Sequence, residues 1–178
     1  RGGAAGWVLA AAAAAALAIS GGLAWQARAP REDLVAEAVN DHLRVLYAQR
    51  PLEVESGGIH QVKPWFEGRI DFAPVVPFAG DDDFPLQGGA VAYFVDRKAA
   101  TFVFKRRLHL MTLFVFRADG LPWPVMARDH VGASPASLAT SRGFHVLLWR
   151  ANDLGYALVS DVNEADVRAL AEKISSGP

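Results

Sequence analysis

Apolar residues along the chain fall into three patterns, and the first is an uncharged run over residues 4–25. In a helix this run would extend roughly 33 Å at 1.5 Å per residue, which matches a bilayer core of about 30 Å. We therefore predict a transmembrane helix over residues 4–25, followed by a linker over residues 26–30. Ala27-Arg-Ala29 also fits the cleavage site of a signal peptide, and an Ala-rich buried helix is a third interpretation.

The second pattern is helical. Between Arg31 and Tyr47 apolar residues recur every three or four positions, which is the spacing of one buried helix face. This predicted stripe comprises Leu34, Val35, Ala38, Val39, Leu43, Leu46 and Tyr47. Pro51 follows and ends this helix. Near the C-terminus Asn163 is a candidate N-cap, with acidic residues in the first turn behind it. The apolar stripe of this last helix comprises Val167, Leu170, Ala171 and Ile174.

The third pattern is typical of strands. From Gly89 onward, runs of aromatic and β-branched residues alternate with turn residues, and the run 108–116 is apolar on both faces, which predicts a central strand after a turn near Arg106-Arg107. The residues 117–141, rich in Pro, Gly and Ser, are predicted to be a loop. The predicted strands are 52–55, 70–76, 90–95, 100–105, 108–116, 144–150 and 156–160.

The order of these elements predicts the fold class. Helices precede and follow a block of strands without alternating βα units, which indicates an α+β fold. We expect a curved antiparallel β-sheet with flanking helices on one of its faces, preceded by the transmembrane helix. The globular domain is assigned to residues 31–178.

Composition and charge exclude several classes of function. Without Arg1 and Arg28 the chain has 16 Lys and Arg against 19 Asp and Glu, so the globular domain lacks the basic surface of a direct nucleic-acid binder. The absence of Cys excludes disulfides and thiolate metal sites. The adjacent acids of residues 81–83 lack the alternating spacing of a calcium loop and predict a solvated turn.

Catalytic spacing is also absent from the sequence. There is no Gly-x-Ser-x-Gly elbow and no phosphate-binding Gly loop, so we predict no enzyme activity, no catalytic residue and no cofactor. None of the five His residues has the close pair spacing of a hydrolytic zinc site. His60 and His109 remain a possible pair in space, and a metal- or ligand-binding module is therefore the alternative function.

The segment from His60 to Pro74 combines aromatic, basic, acidic, Gly and Pro residues within fifteen positions. One interpretation is a rigid plug that closes one end of the sheet, in which Lys63 is expected to be extended because it precedes Pro64. The other is a recognition surface, because exposed aromatic side chains with Arg are typical anchors of interfaces. The candidate recognition residues are His60, Lys63, Trp65, Phe66 and Arg69, together with His109.

A set of motifs across the globular part resembles the extracytoplasmic domain of bacterial transmembrane anti-sigma factors. The most specific of them is Val62-Lys-Pro-Trp-Phe66. The motifs are Asp41-His-Leu-Arg44, His60-x-Val-Lys-Pro-Trp-Phe66, Asp71-Phe-Ala-Pro74, Phe84-Pro-Leu-x-Gly-Gly89, Gly143-Phe-x-Val-x-x-Trp149 and Val159-Ser-Asp161. The resemblance covers roughly residues 35–170.

The resemblance implies a single-pass protein of the bacterial inner membrane with its globular domain in the periplasm. Such proteins hold a sigma factor through an N-terminal cytoplasmic domain, whose His-x-x-x-Cys-x-x-Cys segment is missing from this sequence. They respond to an envelope protein or to a protease, and the candidate cleavage segments here are 26–31 and 117–141. Arg1, Arg28 and Arg31 do not favour this orientation by the positive-inside rule, so orientation rests on the resemblance.

Overall fold

The computed structural model describes residues 34–55, 59–124 and 129–176, with only the backbone of residues 59–61. Within them the chain forms three helices: α1 (Leu34–Tyr47), α2 (Ile59–Trp65) and α3 (Glu164–Ser175). None of these is long and apolar enough to cross a bilayer. The predicted span 4–25 and the linker 26–30 lie outside the described residues, so both stay predictions.

Eight strands in the same part of the chain form one open sheet in which all neighbours are antiparallel, in the order β1-β2-β3-β4-β8-β7-β6-β5. This arrangement confirms the predicted α+β class. The strands are β1 (Val54–Glu55), β2 (Leu86–Phe94), β3 (Arg97–Arg106), β4 (His109–Arg117), β5 (Asp129–Val131), β6 (Ser134–Ser141), β7 (Phe144–Ala151) and β8 (Leu154–Ser160).

The sheet is apolar on both faces, and this places helices on both sides of it. In β4, Leu113 and Val115 belong to one buried cluster, which includes residues of α2 and α3. Phe114 and Phe116 point the other way, into a second cluster with α1, because successive side chains of a strand alternate between faces. The expectation of helices on one face was therefore wrong: β4 cannot leave either row of large side chains in water.

Several predicted elements are confirmed. β4 is central, between β3 and β8, and the turn before it contains Arg107 at φ +55°. In α3 the backbone N–H of Asp166 donates to Asn163 Oδ1 at 2.8 Å, which is the predicted N-cap. The apolar stripe of α3 is buried at all four predicted positions.

The predicted loop 117–141 was wrong in its second half, where β5 and β6 pair with each other and β6 pairs with β7. β6 is composed mostly of Ser, Ala and Thr, so its sequence carries little strand preference by itself. Its pairing with β7 and the complete burial of Ala136 stabilise it instead. Among the described residues of the predicted loop, 118–124 lie outside the strands, and cleavage in this region stays a prediction.

Two local expectations around the motif were also wrong. Residues 70–76 form no strand, and Lys63, expected to be extended because it precedes Pro64, lies inside α2. The helix brings Val62 and Phe66, four positions apart, onto the same apolar sheet face, where both are buried. This burial outweighs the local preference of a residue before proline.

The acidic turn 81–83 is exposed to solvent, as predicted, and it is also tied to the body of the domain. Asp81 Oδ1 accepts hydrogen bonds from the backbone N–H groups of Asp83 and Phe84 at 3.0 and 2.8 Å. Asp81 also pairs with Lys173 of α3, and Asp83 pairs with Arg106 of β3. These bonds hold the irregular segment between α2 and β2 against the α3 side of the sheet.

The adjacent aromatics of the motif are expected to contribute unequally to stability. Phe66 is 1% exposed and its ring lies 5.2 Å from that of Phe102, so Phe66→Ala should lower the free energy of unfolding by about 3–5 kcal/mol. Trp65→Ala is the matched control, and because Trp65 is only partly buried it should lose about 1–2 kcal/mol. Urea unfolding measures both, and equal losses would contradict this packing.

Candidate ligand-binding groove

The structure separates the candidate recognition residues of the motif into a core residue and a surface pair. Phe66 is in the core, so it is not available as an exposed anchor. The Arg69 guanidinium stacks over the Trp65 ring at 4.5 Å from its centroid and donates to the Trp65 carbonyl oxygen at 2.5 Å. Trp65 and Arg69 therefore satisfy each other at the surface, which accords with the plug interpretation.

Lys63 lines a cavity of about 520 Å³ that is formed almost entirely by residues 63–74. This cavity is larger than the groove described below. However, among the described residues no buried polar side-chain atom without a hydrogen-bond partner lies in its lining. Its shape follows from the irregular path of the chain around Gly68, and its chemistry does not select a ligand.

His60 and His109 are not shown to form a joint site. His60 lies in α2 and its side chain is outside the described residues, so convergence of the two His residues stays a prediction. His109 begins β4 and is exposed, with its Nδ1 at 2.9 Å from Asp161 Oδ1. Within the described part of the chain no three His, Asp or Glu residues are grouped as metal ligands.

Two arrangements superficially resemble catalytic triads. Ser160 adjoins the His109–Asp161 pair in sequence, but its hydroxyl donates to the Leu110 carbonyl oxygen at 2.8 Å and points to a buried position. A triad needs the nucleophile on one ring nitrogen and the acid on the other. This geometry therefore does not activate Ser160.

The second arrangement fails the same requirement. Thr140 Oγ1 lies 3.0 Å from His145 Nδ1, and Glu164 Oε1 lies 3.8 Å from the same nitrogen. Because both groups approach Nδ1, the ring cannot take a proton from Thr140 at one nitrogen while Glu164 orients the other. The side chains form a polar surface contact between β6, β7 and α3.

The most distinctive concavity is a groove of about 380 Å³ between α1 and the sheet. Its floor is deep because β2 and β3 place small residues there, namely Ala90, Ala92 and Thr101. α1 packs mainly on β4, β6, β7 and β8, so its C-terminal half stands beside these small residues without filling the space above them. Asp41 and Arg44 form the α1 wall.

Two polar atoms in the groove are buried without a hydrogen-bond partner among the described residues, Asp41 Oδ2 and Thr101 Oγ1. Asp41 is 4% exposed and Thr101 is 1% exposed. Arg44 pairs with the other carboxylate oxygen of Asp41, and its own side chain is 67% exposed at the rim. An unpaired buried acceptor costs about 1–3 kcal/mol, so the groove retains unused hydrogen-bonding capacity.

Burial also changes the ionisation of Asp41. Its pKa is raised to about 6, mainly by removal of the carboxyl from water and secondly by the nearby Glu37. Arg44 acts in the opposite direction but does not compensate. A carboxyl with a raised pKa in a concave site is a frequent property of functional groups. Asp41 is thus set apart from the solvated acids of the chain.

His42, next to Asp41, attaches α1 to the sheet. His42 is fully buried, and its Nδ1 forms a 2.8 Å hydrogen bond with Thr112 Oγ1 of β4. Its ring also meets Phe144 edge-on, with centroids 5.1 Å apart. Burial lowers the pKa of His42 to about 4, although Asp161 acts to raise it. The neutral ring is therefore part of the interface between α1 and the sheet.

Sequence reasoning missed Asp41 and His42 because it took only apolar residues as the buried stripe of α1. Leu46 and Tyr47 were assigned to that stripe, and both are exposed. The available signal was position: Asp41 and His42 follow the buried Ala38 by three and four residues, where a helix returns to the same face. Polar residues in such positions indicate a buried polar site.

Comparisons with known proteins produced no match to a protein-family model, to a curated protein or to a solved structure. The chemistry of the groove and the motifs of the sequence are therefore the basis for assigning a role to the chain. What the groove can do is bind: it offers a buried carboxyl, a hydroxyl, apolar walls, and the charged side chains of Arg44, Arg50 and Glu53. It offers no nucleophile paired with a base.

Two Thr residues on the α1 face of the sheet are expected to respond with opposite signs to the same change. Thr101→Val removes a hydroxyl that has no partner and should raise the free energy of unfolding by about 1 kcal/mol. Thr112→Val leaves His42 Nδ1 unpaired and should lower it by about 1–3 kcal/mol. Urea unfolding compares the two, and loss of stability in Thr101→Val would contradict the unpaired hydroxyl.

Asp41 and His42 should give opposite dependences of stability on pH. The stability that Asp41 contributes is present below about pH 3.8 and is lost as the pH rises to about 6. The contribution of neutral His42 is present above about pH 6.5 and is lost as the pH falls to about 4. In wild type these two changes in the free energy of unfolding largely oppose each other between pH 4 and 6.

Single variants separate these two effects. Relative to wild type, Asp41→Asn should gain up to about 3 kcal/mol as the pH rises from 4 to 7. His42→Gln should gain a similar amount, relative to wild type, as the pH falls over the same range. Urea unfolding at four pH values measures the difference in unfolding free energy between each variant and wild type. The remaining carboxyls titrate in both proteins, so their contribution cancels in this difference. If the unfolding free energy of either variant runs parallel to that of wild type against pH, the pKa shift of the replaced residue is contradicted.

Proposed function

We propose that the chain is the membrane-anchored regulatory part of a bacterial anti-sigma factor, with the globular domain in the periplasm and no catalysis of its own. The sigma factor would be held by a segment outside this sequence, and residues 4–25 would cross the inner membrane. The motifs between residues 35 and 170, above all Val62-Lys-Pro-Trp-Phe66, support the class of protein. An envelope signal would be received by the groove.

The observation that carries this proposal is the identity of the helix that forms the groove. α1 begins at Leu34, a few residues after the predicted span and linker. The same helix presents Asp41 and Arg44 to the groove and docks on the sheet through His42. A molecule held between Asp41 and Thr101 would therefore contact the element that leads to the membrane, and its binding would alter how firmly α1 is docked.

The absence of catalysis is supported by the two triad-like arrangements, both of which lack the required geometry. Ser160 is bonded to a backbone carbonyl, and Thr140 and Glu164 share one nitrogen of His145. A second candidate function, a periplasmic ligand-binding module without a sigma factor partner, is favoured by the same groove. The two candidates differ in whether removal of the domain changes transcription.

The predicted location can be tested because residues 1–178 contain no Cys, so labelling above the wild-type background reports a single introduced Cys. Leu108 is 91% exposed in the turn before β4, and Leu108→Cys should react with a small membrane-impermeant maleimide in intact cells. Ala157→Cys, at a fully buried position of β8, is the matched control and should react only after unfolding. Labelling of Leu108→Cys only after lysis would contradict a periplasmic domain.

The regulatory role predicts a change in transcription. Deleting residues 34–176 from the chromosomal gene should change, several-fold, the transcripts of one set of promoters that includes the gene of an extracytoplasmic-function sigma factor. A strain carrying Leu108→Ser, a change at an exposed turn, serves as the control. RNA sequencing measures both strains, and an unchanged transcript profile after deletion would contradict the anti-sigma role and leave the ligand-binding module.

A further inference from the structure

We infer that the groove between α1 and the sheet binds a primary ammonium group carried on a short apolar stem. The inference rests on the proposed function only in taking the groove as the place where a signal is received. The ammonium would lie between Asp41 and Thr101, and the stem would extend along the apolar walls toward the mouth. No sequence motif pointed to this chemistry.

The hydrogen-bonding capacity of the groove selects a donor-rich group. Both unpaired atoms, Asp41 Oδ2 and Thr101 Oγ1, can accept hydrogen bonds. An ammonium carries three N–H donors and no acceptor, so it has a donor for each of the two atoms and a third for the mouth of the groove. An alcohol can donate to only one of them and depends on the Thr101 hydroxyl to donate to its own oxygen, and a carboxylate cannot donate to Asp41 at all.

Charge favours the same group. Glu37 and Arg44 are the charged side chains that influence Asp41, and Arg44 reaches only one of its two oxygens, from the exposed rim. Arg50 and Glu53 also line the groove, and their opposite charges balance each other. An ammonium on the remaining oxygen would form a charge-assisted hydrogen bond, which is stronger than one between neutral groups. An anion in the same place would be repelled by Asp41 once this carboxyl is ionised.

Shape limits the size of the cation and its stem. The floor at Ala90 and Ala92 leaves room for methylene groups, and Val45, Ala48 and Phe114 provide apolar walls. The volume of about 380 Å³ lies at the small end of ligand pockets. A guanidinium holds five donors in a rigid planar fork and would leave several unpaired against two acceptors, whereas a compact ammonium would not.

The test is an NMR titration of the purified full-length, ¹⁵N-labelled chain in nonionic detergent with butylammonium, 1-butanol and butyrate. Butylammonium should bind about tenfold or more tightly than 1-butanol, because a hydrogen bond that involves a charged group raises the binding affinity by about a factor of ten or more. Butyrate should bind most weakly. The shifted amide signals should include Ala90, Ala92 and Thr101.

Variants assign the binding to the groove. Asp41→Asn should weaken butylammonium binding about tenfold or more and leave 1-butanol binding within about twofold. Glu37→Gln is the matched control, because Glu37 lies on the same helix and pairs with Arg44 at 3.5 Å, and it should retain at least half of the wild-type affinity. Ala92→Leu, which fills the floor, should abolish binding of both compounds without changing a charge.

The proposal would be overturned by equal affinities for butylammonium and 1-butanol, by equal losses in Asp41→Asn and Glu37→Gln, or by signal shifts that exclude the groove. If the spectrum of Asp41→Asn shows unfolding, Ala92→Leu decides in its place. The titration involves the purified chain alone. Its failure would leave the regulatory role standing, and that role fails separately if the labelling and transcription experiments give the opposite results.

Discussion

The structure depends on one constraint: its central strands are apolar on both faces, so neither face of the sheet can remain in water. Phe114 and Phe116 of β4 require α1 as their cover, while Leu113 and Val115 require α3 and the segment around α2. The paired motif residues Val62 and Phe66 contribute to this second cover. The layered arrangement of helix, sheet and helix follows from these alternating rows of side chains.

The groove arises from an incomplete match between α1 and the face that it covers. α1 packs chiefly on the neighbouring strands β4, β8, β7 and β6. β2, beyond them, carries Ala90 and Ala92 where larger residues would fill the space. Polar residues then occupy helix positions that burial would normally reserve for apolar ones. His42 Nδ1 pairs with Thr112, whereas His42 Nε2 and one oxygen of Asp41 have no hydrogen-bond partner among the described residues. A residue that docks the helix and the residue of the proposed binding site thus stand side by side on one helical turn.

Sequence patterns predicted the elements whose local and tertiary preferences agree. Asn163 capped α3 as expected, and the two-sided run 108–116 became the central β4. β6 was missed because only pairing with β7 makes its small residues a strand, and α2 was missed because packing prevailed over the preference set by Pro64. The groove could not be predicted, since Asp41 and Thr101 are 60 positions apart and meet only through the fold.

The hydrogen bond between His42 and Thr112 joins residues 70 positions apart, and this separation constrains the order of folding. α1 is synthesised first, yet the strands that cover its apolar face include β7 and β8, roughly a hundred residues later. At about 5–20 residues per second, α1 waits on the order of 5–20 s with Leu34 and Val39 uncovered. During this interval the apolar face of α1 is exposed on the nascent chain, and a chaperone or a lipid surface would be a suitable temporary partner for it.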